Sequence, residues 1–576
     1  MALTKGGELF LKIVLLLTVL GSCQGKEFTR YREASSYPSG APEEGYDYII
    51  VGGGTAGCPL AATLSRNFTV LVLERGGSPY GNLNVSYMQN FHISLADTSP
   101  ESPSQAFVST DGVINTRARV LGGGTCINAG FYTRANTRFV EKAGWDADLV
   151  NESYPWVEKQ IVRWPDVAPW QAALRDGLLE AGVSPFNGYT YDHVLGTKVG
   201  GTIFDKDGFR HTAADLLSEG NRRNLHVLIH ATVQRILFDQ KERRPKAVGV
   251  VFKDEHGELH QALLNGGRRS EVILSAGAIG SPQMLMLSGI GPKSHLEEMN
   301  IPVVLHNRFV GKGMSDNPMN SIFIPTKQPV EQSLIQIVGI TKKGSFIEAS
   351  SGFSQSSDSI KCHHGIMSAE IGQLSTVPPN QRTWEAIQAY VERKREIPRE
   401  AFQGGFILEK IVGPLSRGHL SLVDADAGSS PSVTFNYFSH PYDLRRCVYG
   451  IRTVEQIART RHYADLTHDH FTNDMLLNMS VKANVNLIPR HTNDTTSLEQ
   501  FCRDTVITIW HYHGGCHVGR VVDSQHRVLG VDRLRVVDGS TFATSPGTNP
   551  QATVMMMGRY MGVKLLRRRL GSAAMV

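Results

Sequence analysis

The sequence predicts an α/β protein of two parts, one built on a parallel sheet and one on an antiparallel sheet with helices. Three observations predict it. The apolar run Tyr48-Ile49-Ile50-Val51 leads into Gly52-Gly53-Gly54-Thr55-Ala56-Gly57, then the helical stretch Ala61-Ala62-Thr63-Leu64, then a second apolar run, Val70-Leu71-Val72-Leu73. That order of strand, glycine turn, helix and strand is a Rossmann-like βαβ unit. Between about 300 and 500 the pattern changes to scattered strands, as at 419–423 and 432–437, with helical stretches near 384–395 and 443–459, which reads as a mixed second domain. Finally, 576 residues, 41% hydrophobic and 20% charged, suffice for one large core or two joined ones.

In chain order, Lys5 and Lys12, the apolar run from Ile13 to Leu20, and the small residues Gly21, Ser22 and Gly25 form the pattern of a secretory signal cleaved near Gly25. The run is too short to cross a bilayer, and no later stretch of about 18 apolar residues follows, so no transmembrane segment is expected. Five N-x-S/T sequons, at Asn67, Asn84, Asn151, Asn478 and Asn493, fit an exported glycoprotein. Residues 26–45 are polar and read as a flexible arm, with order beginning at Tyr46.

The glycine turn has G-x-G-x-x-G spacing. Gly52 permits the tight turn, Gly54 lets a pyrophosphate approach the backbone, and Gly57 lets helix and strand pack closely. Free amides at the helix start face the phosphates, and the helix dipole favours their charge. Glu74, 22 residues after Gly52, ends the second strand, where a carboxylate can accept from the adenosine ribose. A glycine turn alone is more often only a turn; the ordered strand, helix and acid make this one a dinucleotide site. NAD and FAD fit it equally.

The net charge of +5 comes from 59 basic and 54 acidic side chains with no long basic block, which gives nucleic acid binding no support. Arg567-Arg568-Arg569 suits the last turn of a helix. Removing the signal leaves six cysteines and no C-x-x-C, against a zinc ribbon or thioredoxin-like chemistry, while one or two disulfides remain open.

The most unusual segment is Trp510-His511-Tyr512-His513-Gly514-Gly515-Cys516-His517. His511 and His513, two apart on a strand, would share a face and could chelate, but no nearby carboxylates complete a site, so no metal is expected. His513 and His517 then read as structural and Cys516 as core. Pro550 starts an expected helix, 551–566, capped by Asn549.

Three further segments resemble the glucose-methanol-choline (GMC) family of flavin oxidoreductases: 119–132, with Gly122-Gly123-Gly124-Thr125-Cys126; 277–291, with Gly280-Ser281-Pro282; and Leu534 to Ser540 followed by Pro546 to Gln551. The resemblance runs from about 46 to 570 and implies FAD. It places the substrate-facing base on His511, in the family's pattern H-x-x-G-[GT], and a second polar position on Asn549, 38 residues on. Family members carry histidine or asparagine there, and asparagine can hydrogen-bond an oxygen but not act as a base near neutral pH. The same resemblance puts Thr55 and Ala56 on the pyrophosphate, Glu74 and Arg75 on the adenosine, and the backbone of Val233 on the adenine. Val120, Gly124, Asn128, Ala129, Gly130 and Phe131 would meet the flavin, with Trp510, Asp538, Gly539, Pro550 and Gln551 on its ring side. A Cys447–Cys502 disulfide is implied by secreted plant members. Cys126 stands where serine is common and reads as a filler, and Cys362-His363-His364 as a solvated loop.

The implied division is 1–25 signal, 26–45 arm, 46–325 with 505–570 as a discontinuous FAD-binding domain, and 326–504 as a substrate-binding domain with 145–200 a candidate contributor. The implied reaction is oxidation of a primary alcohol to an aldehyde, the substrate being a small molecule, long and apolar, of the ω-hydroxy fatty acid type used in cuticle formation; Phe402, Phe406, Ile407 and Leu408 are candidates for its channel. The alternatives are a hydroxynitrile lyase, whose members share W-H-Y-H-G-G but carry tyrosine at 509 and histidine at 549, and a non-catalytic flavin-bound extracellular protein.

Overall fold

The computed structural model describes residues 28–37, 45–352, 403–483 and 497–571, apart from Thr98, Arg268 and Thr548. The signal, the helix expected at 384–395, Cys362 to His364, Phe402 and the Asn493 sequon lie outside the described residues.

Six parallel strands form the first sheet, in the order Tyr31–Glu33, Leu225–Ile229, Val70–Leu73, Tyr48–Val51, Glu271–Leu274, Leu534–Val536. Strands covered on both faces need continuous apolar runs, and Tyr48–Val51 and Val70–Leu73 are buried throughout. The helix Gly57–Leu64 covers the sheet, and the C-terminal helix Gln551–Leu570 lies against it. Small residues permit the approach: a Cβ on Gly558 would sit 2.3 Å from Ala56 O.

The second sheet has seven strands, ordered Ile507–Thr508, Pro318–Pro325, Gly404–Ile411, Ser345–Ser351, Ile337–Ile340, Gly196–Val199, Phe186–Tyr189, all antiparallel neighbours except the last pair. Helices Pro169–Glu180 and Pro441–Ala458 pack on one face, where Gly405 meets Trp170 and Gly450 meets Glu409. The opposite face carries Phe346, Glu348, Ser350, Leu408 and Lys410, since strand partners in register share a side.

Two expectations are corrected. Residues 28–37, taken as part of a flexible arm, include a strand at the edge of the parallel sheet, with Phe28, Ala34 and Tyr37 buried; alternating Tyr31-Arg32-Glu33 is too short a signal to read as a strand without its neighbour. The domain boundaries also move. Pro318–Pro325 and Ile507–Thr508, expected in the cofactor domain, belong to the antiparallel sheet, while 186–199, inside the stretch named as a candidate contributor, adds two strands to it. The strands Gly418–Ser421 and Ser432–Thr434 instead join Lys312–Ser315 and His513–Gly515 in a four-stranded sheet. Its Leu420 and Val433 share a core with Leu274 of the parallel sheet.

Cys447, on the helix Pro441–Ala458, is bonded to Cys502, on Leu498–Asp504. The bridge closes a 55-residue separation just before the strand that leads to His511. Replacing both cysteines with serine is expected to cost about 2–4 kcal/mol of stability, read as a lower urea midpoint; an unchanged midpoint would leave the bridge with no stabilising role.

Candidate active site

The carboxyl ends of the parallel strands open onto a single large cavity, where ligands of open α/β sheets bind. Val51 and Gly52, Leu73 and Glu74, Ser275 and Ala276, and Asp538 all line it. Gly52 has φ +101° and a Cβ there would lie 2.5 Å from Ser275 O, so the turn admits glycine alone. A Cβ on Gly57 would lie 2.1 Å from Gly52 O. Gly57 therefore stands behind the wall and lets helix and turn touch, whereas Gly54, Thr55 and Ala56 face the cavity.

Glu74 is buried and its carboxylate accepts from Gly53 N (2.9 Å) and Gly76 N (2.8 Å), which braces the glycine turn. Burial raises its pKa against those bonds. Arg75 donates to Gln105 Oε1 (2.6 Å) and Ala118 O (2.9 Å), and burial lowers it to about 10. Val233 lines the same end beside Ala231 and Thr232.

Val120, Gly124, Asn128, Ala129, Gly130 and Phe131 line the cavity together with Trp510, Gly539, Pro550 and Gln551. Asn128 Nδ2 donates to Gln551 Oε1 (2.9 Å) and Gln551 Nε2 to Phe131 O, tying the segment to the C-terminal helix. Asp538 accepts from Gly277 N (3.0 Å), Ser281 Oγ (2.5 Å) and Ser540 N (2.8 Å), so it pins the start of the helix Gly277–Leu287 at the cavity. Cys126 is buried, its thiol donates to Leu121 O, and burial pushes it up to about 12, which keeps it a thiol.

At the far end stands His511. Its backbone N–H donates to Asp316 Oδ1 (2.9 Å), and Asp316 Oδ2 also accepts from Tyr437 OH (2.6 Å) and Thr508 Oγ1 (2.7 Å). This carboxylate holds the turn in which Trp510 adopts φ +57°. The His511 ring is buried with Nδ1 3.1 Å from Asn317 Nδ2. Burial, then the charges of Lys410 and His513, hold it well below the usual histidine range, so the ring is neutral. His513 Nδ1 bonds to His511 O (3.0 Å), and burial takes it down to about 3. His517 packs on Gly313, and no group of three or more His, Cys, Asp or Glu that could hold a metal occurs among the described residues.

Asn549 lies at the same end but does not cap the following helix, whose N-cap is Pro550 and which runs to Leu570. Its Oδ1 accepts instead from Lys410 Nζ (3.0 Å). Of the apolar channel candidates, Leu408 lines the cavity and Phe406 and Ile407 do not. Sequence reasoning also missed Asp316, Asn317, Glu348 and Lys410. The signal was present: charged residues inside the apolar strands Ser345–Ser351 and Gly404–Ile411 need a buried partner.

Burial raises Asp316 to about 6. A carboxyl whose folded pKa exceeds its unfolded one adds stability that is full below about 3.8 and lost as pH rises through about 6. The Asp316→Asn protein lacks that loss. Its urea-unfolding free energy relative to the parent is expected to rise by on the order of 3 kcal/mol between pH 4 and pH 7. A pH-independent difference would refute the assignment.

The GMC oxidoreductase family models match residues 46–319 and 414–558. The chain is 64% identical to Protein HOTHEAD of Arabidopsis thaliana over 93% of its own length and 91% of that protein's. It is 48% identical to an (R)-mandelonitrile lyase-like protein of the same plant, over 92% and 91%. With the sinalpyl alcohol oxidase of Nesocodon mauritianus it shares 42% identity over 98% and 96%. Among solved structures, pyridoxine 4-oxidase superposes with TM-score 0.69 at 19% identity, covering 90% of this chain and 98% of that one, a likeness of fold.

Proposed function

The chain belongs to the GMC oxidoreductase family and is an enzyme whose cofactor is FAD, and from that premise we propose that it oxidises a primary alcohol to an aldehyde with His511 as the base. The residues present fit the cofactor: the glycine turn leaves open space over Gly54, where a Cβ would meet nothing closer than 3.8 Å, and the buried Thr116 Oγ1 and Trp510 Nε1 on the cavity wall have no protein partner. Gly54, Thr55 and Ala56 would hold the pyrophosphate, Glu74, Arg75 and Val233 the adenosine, and the walls from Val120 to Phe131 and from Asp538 to Gln551 the ring.

When bound, FAD supplies the hydride acceptor. The observation that carries the reading is one neutral, buried imidazole and one amide, His511 and Asn549, at the same end of this cavity. His511 takes the hydroxyl proton at Nε2 as the carbinol C–H bond breaks and the C=O bond forms. That role needs the ring proton on Nδ1. Asn317 accepts it through Oδ1 when its amide is turned with the oxygen toward the ring, in place of the long bond from Gly413 N (3.3 Å). Asn549 donates to the alcohol oxygen as negative charge develops.

Leu334, Ile335, Leu408 and Ile509 give the cavity an apolar wall, which suits a long-chain substrate of the ω-hydroxy fatty acid class. The kinship with HOTHEAD supports the same class and a role in cuticle formation. Secretion is supported by the N-terminal pattern and by the exposed sequons Asn67, Asn151 and Asn478. The test is anaerobic bleaching of the flavin by an alcohol panel. Long ω-hydroxy acids should bleach it and sugars should not. Cyanide release from mandelonitrile would favour the lyase, and bleaching by no alcohol would favour a non-catalytic role.

A further inference from the structure

Behind Asn549 lies a buried ion pair that nothing in the reaction above uses. Lys410 and Glu348 have fully buried side chains, Nζ to Oε2 2.7 Å, on adjacent strands of the antiparallel sheet. The ammonium also sits 4.1 Å from the centroid of the Phe346 ring. Removing two charges from water is costly, and an apolar pair of the same volume is often as stable or more so, so stability alone is a weak reason for the pair.

Its third contact is the informative one. An ammonium has donors only, so the Asn549 atom facing it at 3.0 Å must be the carbonyl oxygen. The two ends of an amide point apart, so this bond settles which end of Asn549 faces away from Lys410. With its contacts to Glu348, Asn549 and the ring, Lys410 acts on the substrate only through Asn549 and through its field.

We propose that Lys410, anchored by Glu348, is a positioning residue that turns the NH2 end of Asn549 toward the alcohol oxygen and sets a cation behind it as the proton leaves for His511. The groups facing the pair from other elements are His193, whose Nε2 bonds to Gly547 O, with buried Lys198 near it, and His511, which in turn faces His513 and the Asp316 carboxylate through its backbone. The cation depresses His511, so its removal should raise the pH at which His511 protonates.

This inference rests on the alcohol oxidation proposed above, and the experiment separates the two. The variant is Lys410→Met with Glu348→Gln, which removes both buried charges together and leaves neither unpaired. Parent and variant holoenzymes are compared by flavin reduction with a primary alcohol across pH, and by titrating the flavin absorbance with pH in the absence of alcohol. The expected result is a variant that keeps its FAD, is reduced about tenfold to hundredfold more slowly at saturation with little change in KM, and shows both its acid limb and its flavin titration moved to higher pH. A parent that no alcohol reduces would sink the alcohol reading, while the flavin titration would still judge the pair. A variant with parental rate and titration, or one that loses FAD altogether, would make the pair structural and overturn the proposal.

Discussion

The His511→Ala enzyme is expected to retain FAD with an unchanged flavin spectrum and to be reduced by alcohol about 10²–10⁴-fold more slowly than the parent. His511 is held through its backbone by Asp316 and through its ring by Asn317, so removing the imidazole leaves the turn at Trp510 anchored. The parent's acid limb should vanish with it if His511 is the base, since Asn549 at the same end is an amide and His513 has its Nδ1 on His511 O. His511→Gln keeps a polar atom without a useful base and should be nearly as slow. Stopped-flow reduction at several pH values reads both effects. A variant within tenfold of the parent, with the limb intact, would move the base elsewhere.

Gly57→Ala should be the most damaging single methyl in the cofactor half. The added carbon would lie 2.1 Å from Gly52 O, a backbone atom in a turn already at φ +101°. Neither partner is a flexible side chain, so the helix Gly57–Leu64 must move off the turn, and the C-terminal helix packed on it must follow. Overpacking of this kind costs about 1–3 kcal/mol, and it also spoils the amide cradle, so the purified protein is expected without its flavin absorbance. Gly54→Ala is the control. A Cβ there meets nothing closer than 3.8 Å, so the fold should stand while FAD affinity falls from crowding at the pyrophosphate. Equal flavin content in the Gly57→Ala protein and the parent would overturn this account.

The legible parts of this protein were those whose physics is local. A glycine turn between two buried strands carries its own geometry, because the residues that must touch lie within a few positions of one another: Gly57 against Gly52, Gly53 against Glu74. The starts of the helices Gly57–Leu64 and Gln551–Leu570 were likewise readable, though the cap at Asn549 was not, since its oxygen is claimed by Lys410, 139 residues away in sequence. Tyr31–Glu33 escaped notice because an edge strand of three residues is defined by its neighbour Leu225–Ile229 and not by its own pattern.

By itself the sequence determined the dinucleotide cradle, its order along the chain, the absence of a long basic block, and one histidine-rich segment rich in glycine. Tertiary structure alone decided what surrounds that histidine. The carboxylate under its backbone and the amide on its ring are neighbours, Asp316 and Asn317, in the link between the strands Lys312–Ser315 and Pro318–Pro325, and the buried lysine behind Asn549 comes from Gly404–Ile411. Each is a single polar side chain whose meaning depends on which buried partner the packing of two sheets brings within about 3 Å, and that distance is set by long-range register, which no window of neighbouring residues contains.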